Sequence, residues 1–503
     1  MTTTADASTT LAEQVDAVTS GGQPDRTLGR GSVRFVMAIA MSIGIQGPTA
    51  GVIIGPAIIA SIVGGPGALA QVLALVTMGF VAYAFVRFSR SFNSAGSVYA
   101  FNGTALGPGY GFVSAWILLL VYTSFAAGVF AATADIAQTF FASLGLHLWW
   151  MWFALAAAVL AILFAYLRIG LSSLIILTCE GVSILLIMAV GVAVLVQGGY
   201  HHHALNAAPF QLGGASVSIL ALGVVAAFGQ FSGFEGAATL GEEARRSTRT
   251  IPAAIIWSLV ISAGVYIFFT WLVYNAYPSP QAVAADPAPL VHVANTYLSP
   301  AVGKAVNAAG ILSAFGASLA CLNAASRLLF ALARETGGRG RTARLLGHTS
   351  GQRSPAGALL AVSVVAVAAL TGFALEPTPT RAAALIIQYG AYLIVLVYLM
   401  TVIAAFVWAW RTDRRPVPLG ILAIGVGALG YILDKTFIPL PTAPFDLVLL
   451  AAVASVVLGA ATLVAPGPRG RLRQSALLAV TMGAAATADQ SATQREYRRQ
   501  EAR

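Results

Sequence analysis

Residues 223–252 read GVVAAFGQFSGFEGAATLGEEARRSTRTIP, and the rest of the chain is understood from this stretch. It begins as an apolar helix and is interrupted at Gly229-Gln230-Phe231-Ser232-Gly233-Phe234-Glu235-Gly236. It resumes for a turn or two, then ends in Glu242, Glu243, Arg245, Arg246 and Arg249 ahead of Pro252. The three glycines in those eight residues each weaken a helix by about 1 kcal/mol relative to alanine. A carboxylate inside a hydrophobic span is costly in lipid, so Glu235 has to face protein or water and is a functional candidate. Unwound backbone at that depth is tolerated only where it is buried in protein or lines a cavity. A glycine-rich helix contact with Glu235 hydrogen-bonded inside a bundle is the plainer alternative.

Composition fixes the class. Charged residues are 9% of the 503, apolar residues are 58%, and mean hydropathy is +0.82. A soluble domain carries about 25% charged residues, so the chain reads as an all-α, polytopic membrane protein. Residues 1–31 are polar and lack the apolar core of a cleavable signal, so the first span, from Val33, is expected to direct insertion. Cys179 and Cys321 both fall in apolar segments, which argues against a structural disulfide. A net charge of +10 raises the question of nucleic acid, but the arginines cluster in short loops between spans, where they report topology instead.

A span needs about 20 apolar residues. Twelve are expected, at 33–62, 66–88, 110–142, 149–167, 171–197, 214–240, 252–277, 302–333, 355–374, 381–410, 417–435 and 445–466. The ends, 1–31 and 467–503, are polar and are expected to be disordered. Placing the N-terminus inside puts 25 of the 28 Lys and Arg residues on the cytoplasmic side, leaving only Lys304, Arg381 and Lys435 outside. Both termini are therefore expected in the cytoplasm, in a cell (inner) membrane.

The first span has its own interruption, Gly44-Ile45-Gln46-Gly47-Pro48-Thr49-Ala50-Gly51. Pro48 removes a backbone donor and breaks the helical ladder. Five spans separate this break from the one in span six, so the two run in opposite directions. Interrupted segments at matching positions of two five-span halves point to a transporter binding site. The expected architecture is a 5+5 inverted repeat, about 32–197 and 214–410, with further helices over 417–466 and one transporter domain over 32–466.

These residues resemble a known family. Phe231-Ser232-Gly233-Phe234-Glu235, then Glu242-Glu243, then Arg249-Thr250-Ile251-Pro252, is similar to the sixth-helix signature of the amino acid–polyamine–organocation (APC) permeases. Asn323-Ala324-Ala325-Ser326-Arg327 with Phe330-Ala331-Leu332-Ala333-Arg334-Glu335, and Ser94-Ala95-Gly96-Ser97-Val98-Tyr99, resemble two further family segments. The resemblance implies a leucine-transporter-like fold with broken helices 1 and 6, and a permease for amino acids. It leaves the substrate open, because the break Ile45-Gln46-Gly47-Pro48-Thr49-Ala50 departs from the family's usual sequence. Ser172 stands where some relatives carry a lysine in place of sodium, so a lysine-based switch is not supported.

A zwitterion at the bilayer centre needs both charges met. Amides at the start of a half-helix can hold a carboxylate, and Thr49, Ala50 and Gly51 offer theirs. Freed carbonyls before that break and around Phe231 and Ser232 can take an ammonium. The expected substrate-binding set is therefore Ile45, Gln46, Gly47, Pro48, Thr49, Ala50 and Gly51 with Phe231, Ser232, Gly233 and Phe234. Phe231 and Phe234 are either gates or ordinary packing. Glu180, near the midplane of span five, and Glu235 are the candidates for carrying a coupled proton. Tyr122, Ser124, Asn323, Ser326, Gln388, Tyr389 and Tyr392 are further polar residues within spans. Glu242 and Glu243 with Arg87, Arg90 or Arg327 are expected to form a cytoplasmic gate.

No phosphate-binding loop, nucleophile elbow, ATPase motif, metal-ligand set or cofactor motif is visible. The reading is secondary transport of an amino acid by alternating access, by proton symport or exchange, and not an enzyme. A polyamine or organic-cation carrier on the same fold is the alternative. A channel would not need two matching breaks, and a membrane-embedded enzyme would need histidine or a clustered nucleophile within the spans. The expected partners are an amino acid, H+ and the lipid bilayer, with no nucleic acid; the oligomeric state is left open.

Overall fold

A computed structural model describes Leu28 and residues 31–92, 94, 96–335, 345–350, 354–438 and 440–462. The polar ends expected to be disordered lie almost wholly outside these, as do Ala95, the arginines at 339, 341, 344 and 353, and the last residues expected of span twelve.

The described chain is helical. Its helices are α1 (Phe35–Gln46), α2 (Pro48–Val63), α3 (Gly67–Ser91), α4 (Val98–Leu106), α5 (Pro108–Ala142), α6 (Trp150–Ala165), α7 (Ile169–Gln197), α8 (Val217–Gln230), α9 (Ser247–Ala276), α10 (Pro280–Ala285), α11 (Pro289–Tyr297), α12 (Pro300–Glu335), α13 (Ala356–Gly372), α14 (Pro379–Thr412), α15 (Pro416–Phe437) and α16 (Phe445–Ala461). Among the described residues, nine helical segments are long and apolar enough to cross a membrane, counting α1 with α2 as one. The apolar helices α6, α13 and α16 have 16, 17 and 17 residues, short of the ~20 of a full span. The chain is thus a multi-pass membrane protein.

Three helices fall where the sequence predicts loop. Helix α4 is a short piece between α3 and α5. Helices α10 and α11 each start with a proline at the first helical position, where its missing N–H is harmless. At α10 the Ser279 hydroxyl caps the helix by accepting from the Ala282 amide at 3.3 Å.

Helix α5 is the hub, packed on α12 and α14. In its apolar window 78% of residues are buried, against 22% in α15 at the periphery. Its buried face includes Ala126, Ala127, Gly128, Ala131 and Ala134. Small residues let helices approach closely without a hydrophobic force between them, and a β-carbon on Gly128 would collide with Ile387 of α14.

Both expected interruptions are present. Helix α1 ends at Gln46, Gly47 adopts φ +52°, and α2 starts at Pro48. Helix α8 ends at Gln230, Gly233 adopts φ +103°, and a short 3-10 helix runs over Phe234–Leu240. A side chain at Gly233 would be strained by that φ and would also run into Ile45.

Beyond the 3-10 helix the chain is pinned at the arginine-rich end of the bundle. The Val33 N–H donates to the Glu243 carbonyl at 3.0 Å, and the Arg245 N–H donates to the Val33 carbonyl at 2.9 Å. Arg327 of α12 donates through Nε to Glu243 Oε2 at 2.6 Å, and both side chains are 1% exposed. A second guanidinium nitrogen of Arg327 reaches the Asn323 carbonyl at 3.1 Å and its side-chain oxygen at 3.0 Å. The guanidinium's charge and most of its donors are therefore met inside protein.

Removing one partner of a buried ion pair costs about 3–5 kcal/mol, whereas replacing both with apolar groups is often neutral. Arg327→Met or Glu243→Leu alone is expected to lower the melting temperature in detergent sharply, and the double substitution to recover most of the loss. Losses that simply add would contradict the pairing. Gly233→Ala is expected to cost about 1–3 kcal/mol, since it combines a strained φ with a clash; an unchanged melting temperature would show that the turn is not needed.

Candidate functional site

The two breaks are tied directly to one another. Ser42 and Gln46 lie one turn apart on α1. The Ser42 hydroxyl donates to the Phe234 carbonyl at 2.6 Å and accepts from the Ala237 amide at 2.9 Å. Gln46 Nε2 donates to the Phe231 carbonyl at 3.2 Å, and its Oε1 accepts from Ser262 of α9 at 2.8 Å. The Tyr266 hydroxyl, also on α9, donates to the Gln46 carbonyl at 2.7 Å. Polar side chains of one broken helix thus satisfy the exposed backbone of the other, as hydrocarbon surroundings require.

Two backbone groups offered to a substrate by the sequence are otherwise engaged. The Gly51 amide donates to the Gly47 carbonyl at 2.9 Å, inside α2. The Phe231 carbonyl already accepts from Gln46. Thr49 and Ala50 lie in the first turn of α2, for whose amides a helix supplies no acceptors of its own. Ala50 donates to the Ser313 hydroxyl of α12 at 3.1 Å. The Thr49 hydroxyl is buried without a partner among the described residues. Pro48 has no N–H, and Ile45 lies against Gly233 and Gly236.

Phe231 and Phe234 are fully buried. Phe231 meets Tyr266 edge-on at 5.3 Å, and Phe234 meets Phe85 at 5.8 Å and Tyr398 at 5.7 Å between ring centroids. Ser232 is buried beside them.

The two candidate carboxylates differ in their company. Glu235 accepts from the Tyr122 hydroxyl at 2.9 Å, the Tyr398 hydroxyl at 2.5 Å and the Gly233 amide at 3.1 Å. Three donors on two oxygens suit an anion held in place. Glu180 of α7 is 2% exposed and accepts only from the Ser313 hydroxyl, at 2.9 and 3.0 Å to its two oxygens. No Lys, Arg or His among the described residues forms an ion pair with either carboxylate.

Of the expected gate residues, the structure brings Glu243 to Arg327 and Glu242 to Arg334, the latter through a two-pronged contact at 2.9 and 2.5 Å. Arg87 does not join them. It lies 3.5 Å from Asp413 and stacks over Trp408 at 5.6 Å, because α3 delivers it to the end of α14. Asn323, named as a polar residue, donates to Ser172 at 2.7 Å. Sequence reasoning missed Ser42, Ser262, Tyr266, Ser313 and Tyr398. The i, i+4 spacing of Ser42 and Gln46 was the one available signal for them; the others are isolated polar residues in apolar helices.

Two independent similarities bear on this arrangement. Residues 34–485 match the family described as amino acid permease. The chain is 26% identical to the branched-chain amino acid permease BcaP of Lactococcus lactis subsp. cremoris (strain MG1363), over 62% of this chain and 70% of that protein. It is 25% identical to the low-affinity putrescine importer PlaP of Escherichia coli (strain K12), over 53% of this chain and 59% of that one. It is also 31% identical to an uncharacterized transporter of Mycobacterium tuberculosis (strain ATCC 25618 / H37Rv), over 52% of this chain and 58% of that one. The chain therefore spans somewhat under two thirds of the length of the latter two. The match to the family covers most of the chain and includes both broken helices: this protein belongs to the amino acid permease family.

Proposed function

We propose that this protein is a secondary permease that carries an α-amino acid across the cell membrane by alternating access, coupled to protons or to exchange. In this reading the twelve apolar helices are twelve spans, arranged as two inverted five-span repeats and two further spans, with both termini in the cytoplasm. The 25-to-3 distribution of basic residues supports that orientation.

One observation carries the substrate reading: two buried helix breaks meet, and the first turn of α2 presents amides there rather than a basic side chain. A helix N-terminus of this kind favours a carboxylate. The ammonium is met on the other side by carbonyls of the breaks and by the carboxylate of Glu235. The branched-chain permease among the similar proteins supports an apolar substrate side chain.

The Glu243–Arg327 and Glu242–Arg334 pairs, placed at the cytoplasmic end, close the inward path, and their separation opens it. A polyamine is the second reading. Glu180 and Glu235 are two buried carboxylates without a cationic partner, and a putrescine importer is among the similar proteins.

Uptake of labelled amino acids and putrescine into proteoliposomes decides between them. Gradient-stimulated or exchange uptake of a neutral branched amino acid, with none of putrescine, is the expected result; uptake of putrescine alone would replace the first reading with the second. Tyr398→Phe removes one donor from Glu235, and a hydrogen bond to a charged group is worth about 1.5–3 kcal/mol. Transport of the substrate is expected to fall about tenfold or more, with the protein still in the membrane; full activity would remove Glu235 and its tyrosines from the site.

A further inference from the structure

The hydroxyl of Ser313 bonds to both Glu180 and the first turn of α2. Its oxygen accepts the Ala50 N–H at 3.1 Å, and its single hydrogen is shared between the two oxygens of Glu180 at 2.9 and 3.0 Å. The first-turn amide best placed for a substrate carboxylate is therefore committed, through one rotatable hydroxyl, to a carboxylate of the protein.

We propose that Ser313 is a hydrogen-bond switch that couples carboxylate binding at the first turn of α2 to the protonation of Glu180, so that an amino acid binds together with one proton.

This rests on the amino acid reading of the site. With Glu180 ionised, the Ser313 hydrogen points at it and the Ala50 amide is engaged. A substrate carboxylate arriving at α2 would take that amide and stand beside a second, unscreened anion. With Glu180 protonated, its own O–H donates to the Ser313 oxygen instead. The hydroxyl hydrogen is then free to donate to the substrate carboxylate, beside the first-turn amides of α2. One proton is taken up from the side on which substrate binds, sits on a Glu180 oxygen, and leaves with the substrate on the other side. No other bond is made or broken.

The surroundings of Glu180 fit the role. Helices α1, α2 and α6, which lie around this part of the bundle, contain no charged residue at all. The titratable neighbours are Cys179 on the same helix and Tyr266 of α9, which is itself engaged with the Gln46 carbonyl. The charged residues of α12 lie elsewhere along that helix: Arg327 and Arg334 are paired with Glu243 and Glu242, Glu335 is its last residue, and Lys304 is nine positions before Ser313. Three residues on from Ser313, a β-carbon on Gly316 would lie 3.6 Å from Glu180 Oε1, so α12 itself lies against the carboxylate. Glu235 does not fit the role, because it already has three donors of its own.

The test is amino acid counterflow in proteoliposomes of the full-length protein at a series of equal internal and external pH values. In the wild type, the KM for the amino acid is expected to rise by about tenfold per pH unit on the alkaline side, the limit for one obligatory proton. The ester of the same amino acid, which lacks the carboxylate, is expected to compete without that slope. Ser313→Ala is expected to flatten the slope to less than about threefold over the same range, and Ser313→Thr, which keeps the hydroxyl, to restore it. Glu180→Gln is expected to remove the slope and to abolish gradient-driven accumulation while leaving counterflow measurable. An unchanged slope in Ser313→Ala would overturn the switch. If that variant does not reach the membrane, an unchanged slope in Glu180→Gln overturns it instead. Wild type without any amino acid counterflow would instead overturn the substrate reading on which the switch rests.

Discussion

A helix that stops in the middle of an apolar bundle leaves backbone donors and acceptors that hydrocarbon cannot satisfy. This constraint organises the structure. Each break is made acceptable by side chains from elsewhere: Ser42 and Gln46 serve the second break, Ser262 and Tyr266 serve Gln46, and Ser313 serves the start of α2. The breaks are therefore mutually dependent. Of the first-turn amides of α2, that of Ala50 is taken by the Ser313 hydroxyl.

Charge follows the same logic. Arg327 and Glu243 are both buried and are tolerable because each meets the other with further hydrogen bonds to Asn323. Glu235 is buried and met by two tyrosines and an amide. Glu180 is buried with one hydroxyl only. This gradation, from fully compensated to barely compensated, sets Glu180 apart from Glu235 and Glu243.

Much of this was legible in the sequence. Interruption of a hydrophobic run by glycine, proline and polar residues is a local event, so Gly47-Pro48 and Gly233 were found at the positions where the helices do break. For the acidic pair after the second break the sequence offers Arg87, Arg90 or Arg327, and the structure brings Arg327 to Glu243. Arg87 was assigned to the same cluster on position alone. It lies at the end of α3, and α14 brings Asp413 to it first. An aromatic side chain reads the same as gate or as packing; here Phe231 meets Tyr266 and Phe234 meets Phe85 edge-on, and Phe234 meets Tyr398 at a tilt.

By itself the sequence determined the class, the approximate span positions and the two breaks, because hydropathy and helix interruption depend on neighbours in the chain. Tertiary structure alone decided which broken backbone groups are taken and which carboxylate is left nearly alone. Tyr398 is 163 positions from Glu235, and Ser313 is 133 from Glu180. A lone tyrosine or serine in an apolar helix carries no local mark of its partner; only the packing of α5, α7, α12 and α14 around the breaks determines what each hydroxyl can reach.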